Sequence, residues 1–424
     1  MEKKFPIYNE NLPLIQPRGG RSNEILQGQL WNDLELAGCD VLPLTIDSKT
    51  RLGQIKLASE AYDKSKSTRS ETLNGFPLLS VPINVAEELV SSTRLPVSLR
   101  HGTPYAFDLI ERAIKVGIYE IEGGPLSYSL PYSRDSNLEK VIDSWRLSEI
   151  LCSNSDFRVV RETFGILTAC LVPPLQAILV NVLECAFIDK YQSGLPMASF
   201  GSTGSSYQDI ATIEAFRIIY PWFRELINLP STDFLIAFHH WMGPFPKDRV
   251  LAYKIIENGN KVALQTNSNK VVIKTTDEAL GIPSNKANAT AVSLTKKFFN
   301  QASILTKISD SRVVLEVTNL VNESEIQLTK LANSGKSLEK MLLQSVTDGL
   351  IDPPFAPHRD CQRMLKTLRA PDGSVRVSPD YPGVFTKIFV ESEKKFLPKD
   401  YMWSKLNSDR IAQDIAYPFT IEEY

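Results

Sequence analysis

The chain has 424 residues, of which 43% are hydrophobic and 23% charged, as is typical of a folded globular protein. This length allows one large barrel with an appendage, or two or three average domains. A formal net charge of −2, without a clustered stripe of lysine and arginine, argues against nucleic-acid binding. The most apolar stretch, residues 165–187, contains two prolines, an asparagine and a glutamate, which favours a buried strand and helix over a membrane span.

Short apolar runs alternate with helical patterns along most of the chain before residue 285. This repeated strand–helix unit predicts a parallel sheet. The predicted strands number one more than a closed eight-stranded barrel needs, and they are Leu12–Gln16, Asp40–Ile46, Pro77–Val81, Val97–Leu99, Gly117–Ile121, Ile166–Val172, Met197–Phe200, Phe234–Phe238 and Val271–Ile273. The predicted helices are Glu24–Leu36, Ala86–Ser91, Phe107–Lys115, Leu138–Leu151, Pro174–Lys190, Tyr207–Leu229 and Lys247–Glu257, with Ser206 and Asp209 spaced as in a capping box.

Polar clusters follow strand after strand of this predicted sheet. They include QPRGG at 16–20, TID at 45–47, RHGT at 100–103, EGG at 122–124, GSTG at 201–204, HHWMG at 239–243 and KT at 274–275. Barrel active sites are built from the carboxyl ends of several strands, so this distribution predicts an α/β protein with a (β/α)8 TIM barrel. A doubly wound open sheet is the alternative, although no GxGxxG motif or P-loop marks a switch point.

The alternation of predicted strands and helices ends at about residue 285. Residues 288–331 and 337–346 have helical patterns, and residues 352–375 are typical of a loop. We therefore predict a barrel over residues 1–285 and a C-terminal accessory α/β segment, helical and mixed, over residues 286–424 that packs on the barrel.

Three arginines and one glutamate at predicted strand ends suggest an amino-acid site. Arg18, Arg51 and Arg100 offer planar guanidinium groups that bind carboxylates in a bidentate manner. Glu122 is the natural partner of a ligand ammonium, so the set suits an acidic amino acid. The alternative is that each residue forms an ordinary local ion pair. Tyr128 and Tyr132 could donate to a carboxylate, or simply pack in the core.

Metal ligands and nucleophiles follow no recognisable pattern in the sequence. The four histidines lack HExxH spacing and the five cysteines lack a CxxC pair, so we predict no metal ligated by this chain and a reduced, cytoplasmic protein. The sequence has no GxSxG elbow either. Difficult chemistry would then require a cofactor. Lys274 and Glu278 could be a surface ion pair or could hold a ribose.

Several motifs taken together resemble a known enzyme family. They are QPRGG, DVLPLTIDSKTR, LNGFP, LPVSLRHGTP, EGGPLSYSLPY, RETFGILTACLVPP, FHHWMGPFPKD, KVVIKTTDEALGIPSNKANA and IDPPFAPHRD. In this order and nearly this spacing they resemble the large (epsilon) subunit of glutamate mutase, also called methylaspartate mutase. The corner at residues 201–204 departs from the family, with serine and threonine where the family tends toward Glu-Cys-Gly.

The resemblance implies a (β/α)8 barrel that holds adenosylcobalamin against a separate small cobalamin-binding subunit and rearranges L-glutamate to L-threo-3-methylaspartate through radicals. It also implies roles for individual residues. Substrate binding falls to Arg18, Arg51, Arg100, Glu122, Tyr128 and Tyr132, with Glu122 also catalytic. Contacts to the cofactor fall to Gly20, Thr45, Asn74, Pro131, Met242, Lys274 and Glu278. The cobalt-ligating DxHxxG motif is absent from this sequence, so the partner subunit must supply it.

Two alternatives stay open at this point. The same fold and cofactor could act on another amino acid in secondary metabolism. A non-catalytic barrel could instead bind only the small subunit or an amino acid. Under each of these hypotheses this subunit could also form a homodimer, and we expect it to bind neither nucleic acid nor a membrane.

Overall fold

The chain folds around a nearly closed barrel of eight parallel strands in the computed structural model, which describes residues 8, 12–166, 172–302 and 310–396. The strands are β1 (Leu14–Gln16), β2 (Leu42–Thr45), β3 (Val97–Arg100), β4 (Glu120–Glu122), β5 (Val160–Glu162), β6 (Leu195–Gly201), β7 (Leu235–His239) and β8 (Lys270–Val272). Their order around the sheet is β1-β8-β7-β6-β5-β4-β3-β2, with every pair parallel. The predicted (β/α)8 barrel is confirmed.

The seam between β1 and β2 is joined by a few backbone hydrogen bonds rather than by a ladder. Asp40 N donates to Ile15 O over 3.0 Å, and Thr45 N donates to Gly19 O over 3.0 Å. The seam therefore fixes the QPRGG segment against the end of β2.

Helices follow the strands and cover the outer face of the barrel. They are α1 (Glu24–Ala37), α2 (Ser48–Arg51), α3 (Ile55–Thr68), α4 (Ile83–Ser91), α5 (Phe107–Lys115), α6 (Leu138–Ser153), α7 (Pro174–Tyr191), α8 (Ser206–Leu226), α9 (Arg249–Gln265) and α10 (Asn285–Gln301). Polar caps begin several of them, as where Asn23 Oδ1 accepts from Leu26 N. Within the described ranges no helix combines the length and apolar character that crossing a membrane requires.

The interior of the barrel contains both apolar and charged side chains. A small apolar cluster comprises Val160, Leu195, Met197, Leu235 and Ala237, and the strand register places the buried Glu120 beside Val160 and the buried Lys270 beside Ala237. Further buried polar and charged side chains, among them Arg100, Glu122 and His239, end their strands. The carboxyl ends of the strands are where a barrel places its binding site.

The remaining elements pack beside α7 and α8. They are α11 (Ser311–Ala332), α12 (Leu338–Thr347), the antiparallel pair β9 (Leu365–Arg369) and β10 (Val375–Pro382), and α13 (Lys387–Lys394). At their centre the buried Arg376 contacts Glu316 at 2.7 Å and Glu393 at 2.9 Å, and it donates to the Tyr207 hydroxyl of α8. The division at residue 285 stays a prediction. Helix α10, which begins there, packs against α1 and α9.

Two of the predicted strands differ from the structure. Pro77–Val81 was the surplus one, since this segment forms turns, and the nearest sheet contact is an isolated bridge between Ile46 and Phe76. The fifth strand is Val160–Glu162, several residues before the predicted Ile166–Val172. Most of that predicted segment lies outside the described residues.

Three other local predictions were wrong. The single helix predicted over residues 288–331 is two helices, α10 and α11, with residues 303–309 outside the described part of the chain. The loop predicted over residues 352–375 contains β9. The capping box does not form, because Asp209 turns back to accept hydrogen bonds from Ser202 Oγ and from the backbone and side chain of Thr203.

Candidate active site

Arg100, Glu122 and Tyr128 form the centre of the site, inside the mouth of the barrel. Arg100 ends β3 and Glu122 ends the adjacent β4, so neighbouring strands present them side by side. Arg100 Nη1 lies 2.5 Å from Glu122 Oε2, and the Tyr128 hydroxyl donates to Glu122 Oε1. All three residues are at most 3% exposed. The structure thus joins three of the predicted substrate-binding residues in one buried cluster.

Arg18, Arg51 and Tyr132 lie around this centre at the rim. Tyr132 packs edge-on against Tyr128, with ring centroids 5.6 Å apart. Burial of the Tyr132 hydroxyl and the nearby Glu122 raise its pKa, while Arg18, Arg100 and Arg51 oppose that rise. The three arginines therefore all lie close enough to act on one phenol. Burial and the neighbouring Arg100 lower the pKa of Arg18, which marks it as a cation held close to another cation.

Two further carboxylates, Glu120 and Glu162, lie beside this centre in the lumen, and the sequence did not single them out. Lys270, at the start of β8 and fully buried, donates to Glu120 and, over 2.6 Å, to Glu162. Glu162 also accepts from Ser199 Oγ at 2.7 Å and pairs with His239 Nε2 at 3.0 Å. Protein groups thus occupy both oxygens of Glu162.

Glu122 differs from its two neighbours because one of its oxygens has no hydrogen-bond partner. Glu122 Oε2 makes the ion pair with Arg100 but accepts no hydrogen bond from any described residue. Burial raises the pKa of Glu122 to about 7; Arg100 opposes the rise and the like charge of Glu162 adds to it. Of the three lumen carboxylates, Glu122 is therefore the one with an oxygen left for a ligand and with a pKa suited to proton exchange.

Several other buried polar atoms near the mouth also lack a hydrogen-bond partner among the described residues. They are the Gln16 side-chain amide, Thr45 Oγ1, Arg51 Nε, Arg100 Nη2 and His239 Nδ1. Native structures leave few such atoms unpaired, and each costs free energy unless something binds it. Their concentration at the carboxyl ends of the strands points to a polar ligand at this place.

The Gly123-Gly124 corner explains how Tyr128 reaches Glu122. A Cβ atom on Gly123, where φ is 114°, would lie 2.3 Å from the Tyr128 ring, and one on Gly124 would lie 2.3 Å from the Glu184 carboxyl carbon. Glu184, from α7, accepts from the backbone N–H groups of Leu126 and Ser127 at 2.8 Å each. The two glycines thus let the loop fold back between a phenol and a buried carboxylate.

Gly123→Ala is expected to destabilise the fold by roughly 2–5 kcal/mol, because it combines backbone strain with overpacking against Tyr128. Urea unfolding of the variant measures this. The matched control is Gly53→Ala, where φ is 71° and nothing lies within 4 Å of the added Cβ. Backbone strain alone should therefore lower the stability of this variant, by about 1–2 kcal/mol. Equal losses in the two variants would show that Tyr128 does not need the space at Gly123.

An open pocket of about 850 Å³ adjoins this centre on the side of β7 and β8. Three predicted cofactor contacts line it: Met242, Lys274 and Glu278. Lys274 Nζ donates to Glu278 Oε2 over 2.5 Å. Burial and the nearby Arg18 lower the pKa of Lys274 to about 8, while Glu278 opposes them. The pair offers a donor and an acceptor to hydroxyl groups, as a ribose requires, so the pocket fits a nucleoside in size and chemistry.

The other predicted cofactor contacts lie near the seam and the rim. Gly20 is packed so tightly that a Cβ atom would lie 2.1 Å from the Thr45 carbonyl oxygen. Asn74 is exposed, and its Oδ1 already accepts from Ser48 N at 2.9 Å at the start of α2. Pro131 is half-buried beside Tyr132. These roles stay predictions, and for Asn74 only the amide NH2 group is left without a partner in the described structure.

An open pocket lies outside the rim of the site. Arg51 and Tyr132 line this pocket of about 680 Å³, whose wall includes Leu52, Leu79 and Leu109. Gly102 lies between them, and a Cβ atom there would make ordinary van der Waals contacts, 3.5 Å from the Tyr132 ring and 3.6 Å from Arg51 Nη1. Arg51 thus lies between the buried centre and this open pocket.

Comparison with known proteins gives a consistent result. The family model described as "Methylaspartate mutase E chain (MutE)" matches residues 5–381. Similar relatives carry the name "Glutamate mutase epsilon subunit": one from Desulfitobacterium hafniense is 32% identical over 86% of this chain and 77% of its own length, and one from Treponema denticola is 31% identical over 88% and 79%. A third, from Escherichia coli O157:H7, is 29% identical over 95% of this chain and 82% of its own length.

Proposed function

The chain belongs to the methylaspartate mutase E chain family, and on that premise we propose that it is the catalytic component of an adenosylcobalamin-dependent glutamate mutase. Such an enzyme is an isomerase that converts L-glutamate to L-threo-3-methylaspartate. The observation that carries the proposal is the buried pairing of Arg100 with Glu122, surrounded by Arg18 and Arg51 at the rim.

The charges of the site match an acidic amino acid. Arg100 Nη2 and Arg51 Nε, both buried and without a hydrogen-bond partner in the described structure, are donors for carboxylate oxygens. Glu122 Oε2 is an acceptor for the ammonium. Cations at the rim and carboxylates in the lumen would therefore orient L-glutamate with its ammonium toward Glu122.

Glu122 would also hold or release a proton during turnover. Its pKa of about 7 lets the carboxyl group exchange a proton with the substrate ammonium near neutral pH. Tyr128, which already donates to Glu122 Oε1, keeps that carboxylate in place. Tyr132 stands over Tyr128 at the rim, where it would close the chamber and keep water from reactive species.

The residues around the 850 Å³ pocket fit the adenosyl part of the cofactor. Lys274 and Glu278 would hold the ribose, Met242 would pack against the adenosyl group, and Gly20, Thr45, Asn74 and Pro131 would line the approach. Adenosylcobalamin, when bound there, would supply radical chemistry for the rearrangement. The residues of this chain would hold the substrate in position.

A small cobalamin-binding subunit carrying DxHxxG is the partner that this proposal requires, since that motif is absent from the sequence. The name of the relatives, an epsilon subunit, supports a multi-subunit assembly. We further propose a homodimer of this chain within the assembly. A cytoplasmic setting is supported by the free, buried thiols of Cys39, Cys152, Cys185 and Cys361.

The direct test is reconstitution with a cognate cobalamin-binding subunit, adenosylcobalamin and L-glutamate. The expected result is 3-methylaspartate in the product mixture and an organic-radical EPR signal that depends on glutamate. If neither product nor signal forms with a partner subunit of proven competence, the assignment fails. Tight glutamate binding without turnover would instead favour the non-catalytic barrel.

Arg51→Lys tests whether the substrate has a second carboxylate. Lysine keeps the charge but not the fork, so loss of charge-assisted hydrogen bonds worth about 1.5–3 kcal/mol should lower kcat/KM for L-glutamate roughly 10- to 100-fold. Initial rates of the reconstituted enzyme measure this.

The control for Arg51 is Arg94→Lys on the exposed surface, which should leave the rate unchanged. If Arg51→Lys retains the rate of the unmodified enzyme, then the substrate does not use this arginine, and an amino acid with one carboxylate becomes the better candidate.

A further inference from the structure

His239 is a buried histidine that the proposed chemistry does not use. It ends β7, is 2% exposed, and pairs in register with Val272 of β8. Val272 lies two residues from Lys270 on the same face of β8, and Lys270 points into the lumen toward Glu120 and Glu162. His239 therefore faces the lumen at the level where the strands end, beside the candidate site.

One ring nitrogen of His239 is held by a fixed carboxylate. Nε2 lies 3.0 Å from Glu162 Oε1, and Lys270 and Ser199 anchor the same carboxylate at 2.6 Å and 2.7 Å. Phe164 packs edge-on against the imidazole with ring centroids 5.3 Å apart. A carboxylate can only accept, so Nε2 carries the hydrogen and Nδ1 has a free lone pair.

The imidazole is neutral at physiological pH and is therefore an acceptor at Nδ1. Burial lowers its pKa to about 4; the hydrogen bond to Glu162 opposes that shift, and the nearby Arg100 and Lys270 add to it. Nδ1 is buried and has no hydrogen-bond partner among the described residues. Leaving such an acceptor unpaired costs free energy, so a ligand donor is the natural partner.

Glu122 stands close to His239. One possible ligand atom from each of Glu122, Glu162 and His239 lies within 4.8 Å of the other two. Since Lys270 and Arg100 already neutralise part of this charge, the group suits a ligand that brings several N–H donors rather than a bare metal ion. A primary ammonium brings three donors and one positive charge.

We propose that His239 is a substrate-binding residue whose Nδ1 accepts a hydrogen bond from the substrate ammonium beside Glu122. The inference rests on the proposed function, since it takes an amino acid as the ligand. Glu162, Ser199 and Lys270 are then positioning residues that set the tautomer and orientation of the imidazole. The specificity for an amino group over a plain diacid would depend on two acceptors rather than one.

Two substitutions separate this role from a structural one. In His239→Gln the side-chain amide reaches the position of Nε2, so the contact with Glu162 can persist while the Nδ1 acceptor is lost. In His239→Asn the amide lies near the position of Nδ1, so an acceptor persists while the contact with Glu162 is lost. Thermal unfolding of both variants shows whether each is folded.

The probes are L-glutamate and glutarate, which differ only in the amino group. Calorimetric titration of the assembled complex with cobalamin gives the two dissociation constants. For His239→Gln we expect L-glutamate to bind at least about tenfold more weakly, the loss expected for one hydrogen bond to a charged group, with glutarate changed less than about twofold. His239→Asn should keep more of the preference for L-glutamate than His239→Gln.

Equal effects on the two ligands would overturn the inference. If His239→Gln binds both ligands as the unmodified complex does, or loses both equally, then His239 is only a structural partner of Glu162. If the unmodified complex itself shows no preference for L-glutamate over glutarate, the ammonium site and the proposed function fail together. These two results are distinguishable because the second needs no variant.

Discussion

Glu122→Gln in the reconstituted enzyme is expected to lower kcat/KM for L-glutamate by about 10- to 100-fold, since a hydrogen bond between charged groups worth about 1.5–3 kcal/mol is lost with the charge. Glutamine keeps the size of the side chain and an oxygen for Tyr128, and Glu162 and Glu120 still offset the charge of Arg100, so the fold should tolerate the change better than catalysis does. Steady-state rates and urea unfolding of the same preparation compare the two effects.

The comparison needs a glutamate outside the site. Glu111→Gln removes a surface carboxylate that pairs with Lys115 at 2.9 Å, and it should leave both the rate and the stability nearly unchanged. If Glu122→Gln turns over like Glu111→Gln, then Glu122 does not receive the ammonium. A Glu122→Gln protein that fails to fold would assign the residue a structural role instead.

Lys270→Met is expected to cost about 3–5 kcal/mol in the free energy of unfolding, because it leaves the buried carboxylates Glu120 and Glu162 without their shared cation. All three side chains are fully buried, so water cannot replace the lost partner. Denaturant unfolding followed by circular dichroism measures the loss. The double variant with Glu120→Gln should recover part of it, since one unpaired charge is then removed.

Lys115→Met provides the matched surface case. The Lys115 and Glu111 side chains are 54% and 41% exposed, so breaking their ion pair should cost less than about 1 kcal/mol. If Lys270→Met costs as little free energy of unfolding, then Glu120 and Glu162 take up protons at little cost. Lys270 would then not be needed to keep them charged.

Much of the fold and of the site centre could be predicted from the sequence, because polar clusters follow apolar runs. Arg100 and Glu122 each end a strand, and the parallel arrangement of strands alone places them at the same mouth. This pattern alone was enough to predict the (β/α)8 barrel that the structure confirms. Asn74 shows its limit, because its Oδ1 accepts a hydrogen bond from Ser48 N at the start of α2, a contact that the local sequence pattern does not indicate.

The fifth strand shows why the lumen network was missed. Val160–Glu162 carries Arg161 and Glu162, so its hydrophobicity is far lower than that of the following segment, to which the prediction assigned the strand. Both charges are satisfied only in three dimensions, Arg161 by Glu149 of α6 and Glu162 by Lys270 of β8. A strand whose charged residues pair with distant elements cannot be identified by apolar periodicity.

The Arg376 cluster has a consequence for how this family can vary. Arg376 of β10 is shared between Glu316 of α11, Glu393 of α13 and the Tyr207 hydroxyl at the start of α8. Loss of the C-terminal hairpin would leave the buried Glu316 without its cation, so we expect the barrel and the hairpin to be inherited together.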